Sequence, residues 1–432
     1  MNTRAIAAKV LVPVINGETT ITEALEAPAD TVPATEKKLL FELCLGTLRY
    51  FHRLQEISQQ LMAKPLRQKD SDVQALIALG LYQLIYLRVP DHAAISETVG
   101  AAREFGKEWA TKLINGVLRN YLRQQREIAT KLQHNDCFQY SHPAWLIDKL
   151  QTAWPQQWQD ILTTNNQQAP LTLRVNCKKI SISAYCRLLE QHNIAHQRLY
   201  YSSAGVQLVG NTEVTTLPGY HDGLFSVQDE AAQLSAHLLS LTPRERILDA
   251  CCAPGGKSGH ILEAQPHLGE LVSIDSDADR MCRVQQNFER LGHNATLIVA
   301  DAAVTNSWWD GHKFDGILVD APCSGTGTIR RHPDIKLLRR VADLAKLVKT
   351  QSELITKLWA TLKPGGVMVY ATCSILPEEN EEIVRAFCGR HPDAIHDPIA
   401  ANWGVARPYG RQLFPQANGH DGFYYARIIK SH

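Results

Sequence analysis

At 432 residues the chain is too long for one ordinary core and implies two or three domains of roughly 100–200 residues each. Its 44% hydrophobic and 21% charged residues are those of a globular protein and exclude a disordered or fibrous chain. A formal net charge of +1 excludes arguing for a nucleic-acid partner from the total, so local basic stretches must make that case. No run approaches the ~20 apolar residues of a membrane span. The opening MNTRAIAAKVLVPVING is interrupted by Lys9 and Pro13, and no small-residue cleavage site follows. It reads as an amphipathic first helix of a cytoplasmic protein. No C-x-x-C pair occurs among the ten cysteines, which argues against a tetrahedral zinc site and for reduced, mostly buried thiols.

Residues 1–135 read as helical. Leu39, Leu40, Leu43, Tyr50, Phe51, Leu54, Ile57 and Leu61 step along one face, with Thr47 the single polar interruption. Val73, Leu76, Ile77, Leu81, Leu84 and Ile85 repeat the pattern, so several helices can bury their stripes as a bundle. A polar stretch, 133–143, reads as a linker. From 144 to 230 the pattern changes: PLTLRVN alternates Leu171, Leu173 and Val175, the period of a strand. A helical SISAYCRLLEQH and strand-like QRLYY, GVQLVG and GLFSVQD follow, which predicts a small α+β subdomain. From 231 the apolar runs ERILDA, ELVSID, ATLIVAD, FDGILVD and GGVMVYA are mostly separated by helical segments. That alternation predicts a mostly parallel sheet covered on both faces.

The first of these strands runs into LDACCAPGGKSGHILE, whose Pro254-Gly255-Gly256 turn lets backbone approach a ligand ahead of a helix N-terminus. The dinucleotide pattern G-x-G-x-x-G is absent. The phosphate-loop pattern fails as well, because its first glycine would fall on Cys251. Asp275, Asp301 and Asp320 close the next three strands, where open sheets bind ligands. Asp275 can accept from ribose hydroxyls, and Asp301 is placed for an adenine amino group. Each alone could merely cap the following helix. Together with the glycine turn they suit a cofactor that has a ribose, an adenine and a positive sulfonium but no phosphate, namely S-adenosyl-L-methionine.

Two thiols also follow strand ends: Cys323 in DAPCSGTGTIRRHPD and Cys373 in VMVYATCSILPEEN. Carbon 5 of cytosine is a poor nucleophile until a thiolate adds to carbon 6, which turns carbon 5 into an enamine-like carbanion that can take a methyl group. Such a thiol titrates near ~8.5 unless cations or helix N-termini lower it. Lys257, Arg330 and Arg331 are candidates for that role, and Asp320 could hold a proton on the base, contact the cofactor, or both. The remaining cysteines read as structural, with Cys251 and Cys252 contributing backbone to the cofactor turn. Chemistry alone does not divide the roles between Cys323 and Cys373.

Residues 231–432 resemble the catalytic domain of the RsmB/NOP/Sun family of RNA cytosine-5 methyltransferases. The stretches that carry the resemblance are CCAPGGKS, SIDSD, VADAA, DAPCSGTGTIRRHPDIK and YATCSILPEENE. The resemblance implies that Cys373 in T-C-S is the nucleophile and that Cys323 in P-C-S assists product release. It places cofactor contacts on Cys252, Ala253, Pro254, Gly255, Gly256, Lys257 and Ser258, and on Asp275, Asp301 and Asp320. The family usually has Ala at Cys252 and commonly Thr at Ser258, where Ser keeps the hydroxyl. GLFSVQDEAAQL resembles the family's segment ahead of that domain, and DGFYYARIIK its last strand.

ALIALGLYQLIYL, VPDHAAISETVGAA and ATKLINGVLRN resemble NusB, an RNA-binding helical bundle. The combination is similar to the ribosomal small-subunit branch of the methyltransferase family across essentially the whole chain. The expected architecture is therefore multidomain. An all-α NusB-like bundle (1–135) precedes a small α+β, RRM-like RNA-binding subdomain (144–230) and an α/β, Rossmann-like class I methyltransferase domain (231–432). Arg103, Lys107, Lys112, Arg119, Arg123 and Arg126 could contact phosphates or simply face solvent. The expected substrate is small-subunit ribosomal RNA, naked or partly assembled, with the target base unpaired or flipped out. The expected enzyme is a monomer without a metal. Transfer RNA, or a non-catalytic role in ribosome assembly, are the alternatives. A DNA enzyme would normally keep its nucleophile in the Pro-Cys loop alone, and the T-C-S cysteine argues against one.

Overall fold

The computed structural model describes residues 2–210 and 212–432. Packing divides the chain into two compact units: one holds the chain up to Gln168 together with Ile329–Val341, the other Ala169–Thr328 and Ala342–His432.

The first unit is helical. Helix Thr3–Ile15 is its centre: Ala5, Ala7, Ala8, Val10, Leu11 and Val14 are all buried, because small side chains let neighbouring helices close around it. This corrects the expected amphipathic helix, which would leave one face in water. The stripe that begins at Leu39 breaks at Tyr50 into helices Ala34–Arg49 and Phe51–Leu61, since Tyr50 leaves helical geometry at ψ 12°. Thr47 is buried in the seam. Helices Ser71–Tyr86, Asp91–Glu104 and Glu108–Lys131 complete the core around Leu76, Leu79, Ile114 and Leu118. Helix Ile21–Thr31 starts with a capping box between Thr20 and Glu23.

The stretch 133–143 is ordered rather than a plain linker. It carries helix Asp136–Tyr140, which stops at Ser141, a residue in left-handed geometry with φ 55°. Helices Ala144–Ala153 and Trp158–Asn165 pack with this unit as well: Tyr140 meets Trp158 edge-on and the Asn166 amide donates to the Tyr140 carbonyl. The segment Ile329–Val341, which begins just past the Cys323 loop, is also built into the helical unit. Asp334 accepts the Ile21 N–H, and Arg49 donates to the Arg330 carbonyl. Lys336 is 2% exposed and donates to the carbonyls of Arg49 and Ser141 and to Asn166 Oδ1. Three neutral acceptors satisfy its donors, and burial lowers its pKa well below the ordinary lysine value.

The second unit holds two sheets. The smaller one contains β1 (Thr172–Val175), β2 (His196–Arg198), β3 (Gly205–Leu208) and β4 (Phe225–Val227), antiparallel in the order β2-β3-β1-β4. Leu173, Val175, Val206 and Phe225 form one face with Tyr185 and Leu189 of helix Ile182–Gln191. The opposite face is also covered. Arg174 of β1 is fully buried there and pairs through two nitrogens with Glu263, each at 2.8 Å, while also donating to the Gly256 carbonyl. That contact couples the small sheet to helix Gly256–Ala264.

The larger sheet comprises β5 (Arg246–Ala250), β6 (Glu270–Asp275), β7 (Thr296–Val299), β8 (Phe314–Asp320), β9 (Leu362–Thr372), β10 (Ala394–Asp397), β11 (Val405–Ala406), β12 (Arg411–Leu413) and β13 (Phe423–Lys430). Its order is β11-β12-β13-β9-β8-β5-β6-β7, with β10 also on β13. Strands β5 to β9 are parallel, and β13 runs antiparallel beside β9. Because β6 lies on one side of β5 and β8 on the other, the order reverses at β5/β8. The carboxyl ends of strands on either side of such a point form a ligand crevice.

Candidate active site

The turn after β5 is built by backbone geometry. Cys251 leaves the strand at φ 60°, and Gly255 at φ 88° opens helix Gly256–Ala264. A Cβ on Gly255 would lie 2.9 Å from Val284, so glycine is required by both conformation and space. Asp275 fixes the turn from the end of β6, accepting the N–H groups of Ala253 at 3.0 Å and Asp277 at 3.1 Å. Arg280 donates to the Ala253 carbonyl at 2.6 Å. Asp301 lies just past β7 and is exposed, accepting the Ala303 N–H at 2.9 Å. Asp320 ends β8 and is ion-paired with Lys257 at 2.6 Å. Burial alone would lower the Lys257 pKa, but the Asp320 charge and hydrogen bond outweigh it and hold the lysine charged.

Beneath the turn lies a carboxylate that sequence reasoning missed. Asp249 of β5 is fully buried and accepts from Ser258 Oγ at 2.5 Å, and Ser258 is reached in turn by Ser273 Oγ at 3.2 Å. Burial pushes the Asp249 pKa up to about 7. Its Oδ1 has no hydrogen-bond partner among the described residues. Cys252, by contrast, contributes main chain: its N–H donates to the Ile274 carbonyl at 2.9 Å, and its thiol is buried with Met281, Val284 and Phe288.

The two remaining loops meet. Cys323 Sγ lies 3.4 Å from Cys373 Sγ. The hydrogen bond between them splits their titrations. Donation from Cys323 lowers the Cys373 pKa, while the same bond, with burial, holds Cys323 protonated well above the ordinary thiol value. Lys257 adds to the lowering at Cys373, and burial and the Asp320 charge oppose it. Arg330 and Arg331, the other cations that sequence offered, belong to the segment Ile329–Val341. Lys257 is a cation that lowers the Cys373 pKa.

What holds the loops together is Glu379, also unassigned from sequence and fully buried. One carboxylate oxygen accepts the Ser324 N–H at 2.8 Å and the Gln351 amide at 3.1 Å. The other accepts Ser324 Oγ at 2.6 Å and Ser374 Oγ at 2.5 Å. These serines immediately follow Cys323 and Cys373. Gln351 also donates to the Pro322 carbonyl, and Asn380 takes the Thr372 hydroxyl and donates to the Ser374 carbonyl. Gly327 lets the loops touch. Its N–H donates to the Cys373 carbonyl at 2.8 Å, and a Cβ there would fall 2.1 Å from the Gly422 carbonyl oxygen. The only sequence signal for Glu379 was its place in PEEN just after T-C-S.

The basic cluster fares unevenly. Lys107 is tied to Asp70 at 3.0 Å and Asp72 at 2.9 Å, whereas Arg103, Lys112, Arg119, Arg123 and Arg126 are exposed.

Comparison with known proteins agrees with this architecture. The model described as 16S rRNA methyltransferase RsmB/F matches residues 236–429, the NusB family model residues 1–123, and a ferredoxin-like domain model of RsmF/B-like methyltransferases residues 142–215. A ribosomal RNA small subunit methyltransferase B from Pseudomonas putida is 47% identical over 100% of this chain and 99% of its own length. The protein of that name from Vibrio cholerae is 45% identical over 100% and 98%. The crystal structure of PH0851 superposes with a TM-score of 0.83 at 22% identity, covering 100% of this chain and 99% of that one, which shows a shared fold. With nearly half of its residues matched end to end, the chain belongs to the ribosomal RNA small subunit methyltransferase B family.

Proposed function

We propose that this methyltransferase places a methyl group on carbon 5 of a cytidine in small-subunit ribosomal RNA, taking it from S-adenosyl-L-methionine through a covalent adduct on Cys373. The observation that carries the reading is the pair of thiols 3.4 Å apart, with the hydrogen bond between them and the Lys257 charge lowering the Cys373 pKa.

The residues at the strand ends fit the cofactor. Asp275, Asp301 and Asp320 would repel a phosphate but suit ribose hydroxyls, an adenine amino group and a sulfonium. The Gly255-Gly256 turn allows close approach, and Asp249 keeps an unpartnered oxygen beneath it. Residues Cys252, Ala253, Pro254, Gly255, Gly256, Lys257 and Ser258 would line that side, mostly through main chain. The bound cofactor supplies an electrophilic methyl group.

The chain does the rest. The Cys373 thiolate adds to carbon 6 of the base and pushes electron density onto carbon 5, which becomes the nucleophile. Lys257 and the Cys323 S–H stabilise the thiolate before attack. A solvent base then takes the carbon 5 proton, the electrons it leaves behind restore the C5–C6 double bond and expel Cys373 as a thiolate, and the Cys323 S–H donates a hydrogen bond to that departing thiolate. Asp320, fixed by Lys257, faces the same space and can serve base or cofactor. The base must leave its stack to reach these thiols, which favours naked or partly assembled RNA.

Incubation with unmodified small-subunit RNA and methyl-labelled S-adenosylmethionine, followed by digestion to nucleosides, should place all label in 5-methylcytidine. Label in another nucleoside would overturn the carbon 5 assignment. Label on transfer RNA alone would overturn the substrate.

A further inference from the structure

The helical unit contains a groove of about 600 Å³ that the reaction above does not use. Its walls come from helices Phe51–Leu61 and Ser71–Tyr86, from Trp145, and from the segment Ile329–Val341. Gln55, Gln59, Gln68 and Gln74 all border the groove, and their side-chain amides bond to no described residue. Arg339 and Arg340 border it too, and among the described residues no acidic side chain does.

We infer that this groove binds single-stranded RNA, holding nucleotides of the substrate other than the target base. The inference rests on the reading that RNA is the substrate. An amide offers a donor and an acceptor side by side, the arrangement that matches the exposed edge of an unpaired base. An indole offers a stacking face, and the Trp145 ring, half-buried, stacks on no other ring among the described residues. Guanidinium groups supply phosphate contacts. A duplex would hide the base edges, so four amides and an indole suit a single strand better. The basic stripe of helix Glu108–Lys131 offers charge, whereas the groove adds amides and an indole to it.

The test uses the full-length protein, a fluorescein-labelled single-stranded fragment of unmodified small-subunit RNA, and anisotropy at several salt concentrations. Gln59→Glu/Gln68→Glu changes two exposed residues and adds charge without touching the core. It should weaken RNA binding and raise KM for RNA roughly tenfold at low salt, with kcat and cofactor affinity unchanged. Trp145→Ala should weaken binding about tenfold with little change in salt dependence, since stacking is lost rather than charge. An Arg119→Glu/Arg123→Glu control on the exposed helix should have a smaller effect. Wild-type RNA affinity in both groove variants would overturn the inference even if methylation of RNA stands. Failure of the unaltered protein to bind any RNA would overturn both readings.

Discussion

Replacing Glu379 isolates the carboxylate that ties the thiol loops together. Glu379→Ala removes four hydrogen bonds. The two serine hydroxyls can re-pair through Thr326, which already lies 3.1 Å from Ser324 Oγ and 3.2 Å from Ser374 Oγ. The Ser324 N–H and the Gln351 amide cannot, and each unsatisfied buried donor costs about 1–3 kcal/mol. Adding the void left by the side chain gives a loss of about 3–5 kcal/mol, or roughly 10 °C in melting temperature for a domain of this size. Because the serines adjoin both cysteines, the sulfurs should drift from their 3.4 Å contact, and a shift of that kind lowers turnover roughly a hundredfold. Glu379→Gln keeps an acceptor for the two N–H donors and turns its NH₂ toward hydroxyls that can rotate to accept. It should cost about 1 kcal/mol and recover most of the activity. Calorimetry and single-turnover methyl transfer read the two effects separately. Wild-type melting and turnover in Glu379→Ala would refute the reasoning.

Three further outcomes follow from the same geometry. In wild-type protein, alkylation of Cys373 by iodoacetamide should set in at a pH below the ordinary thiol range. Cys323→Ala should move that onset upward, because it removes the hydrogen bond that lowers Cys373 and leaves burial and Asp320 opposing Lys257; residue-resolved mass spectrometry reads it. Asp249, whose folded pKa of about 7 lies above the unfolded carboxyl value, contributes stability that is full below about pH 4 and lost as pH rises through 7. Thermal melts at pH 5 and 8 should therefore show a decline in the wild type that Asp249→Asn flattens, by no more than about 4 kcal/mol. Gly327→Ala places a methyl 2.1 Å from the Gly422 carbonyl oxygen and should cost about 2 kcal/mol or more, with a matching loss of methyl transfer; equilibrium unfolding and single-turnover assays check it.

The parallel strands were legible because most of them carry a buried apolar run, and their carboxyl ends could be read as the place for Asp275, Asp301, Asp320 and both thiols. Strands β10 to β12 were not, since two to four residues of mixed polarity carry no period. The break at Tyr50 escaped notice because the apolar stepping continues through it. The placement of Ile329–Val341 with the helices was hidden for a related reason: RRHPDIK reads as a charged loop, and nothing local shows that Lys336 will be buried against three acceptors. Glu379 and Asp249 were invisible as functional residues because their partners are set by tertiary contact. Ser324 lies 55 positions from Glu379 in the chain, so no spacing rule connects them.

The central claim is that Cys373 attacks the base and Cys323 helps release it. The direct measurement is a denaturing gel of wild type, Cys373→Ala and Cys323→Ala after incubation with small-subunit RNA and labelled S-adenosylmethionine. The proposed division of roles predicts no transfer by Cys373→Ala and a trapped, labelled protein–RNA adduct in Cys323→Ala. Methyl transfer that persists without Cys373 would contradict it.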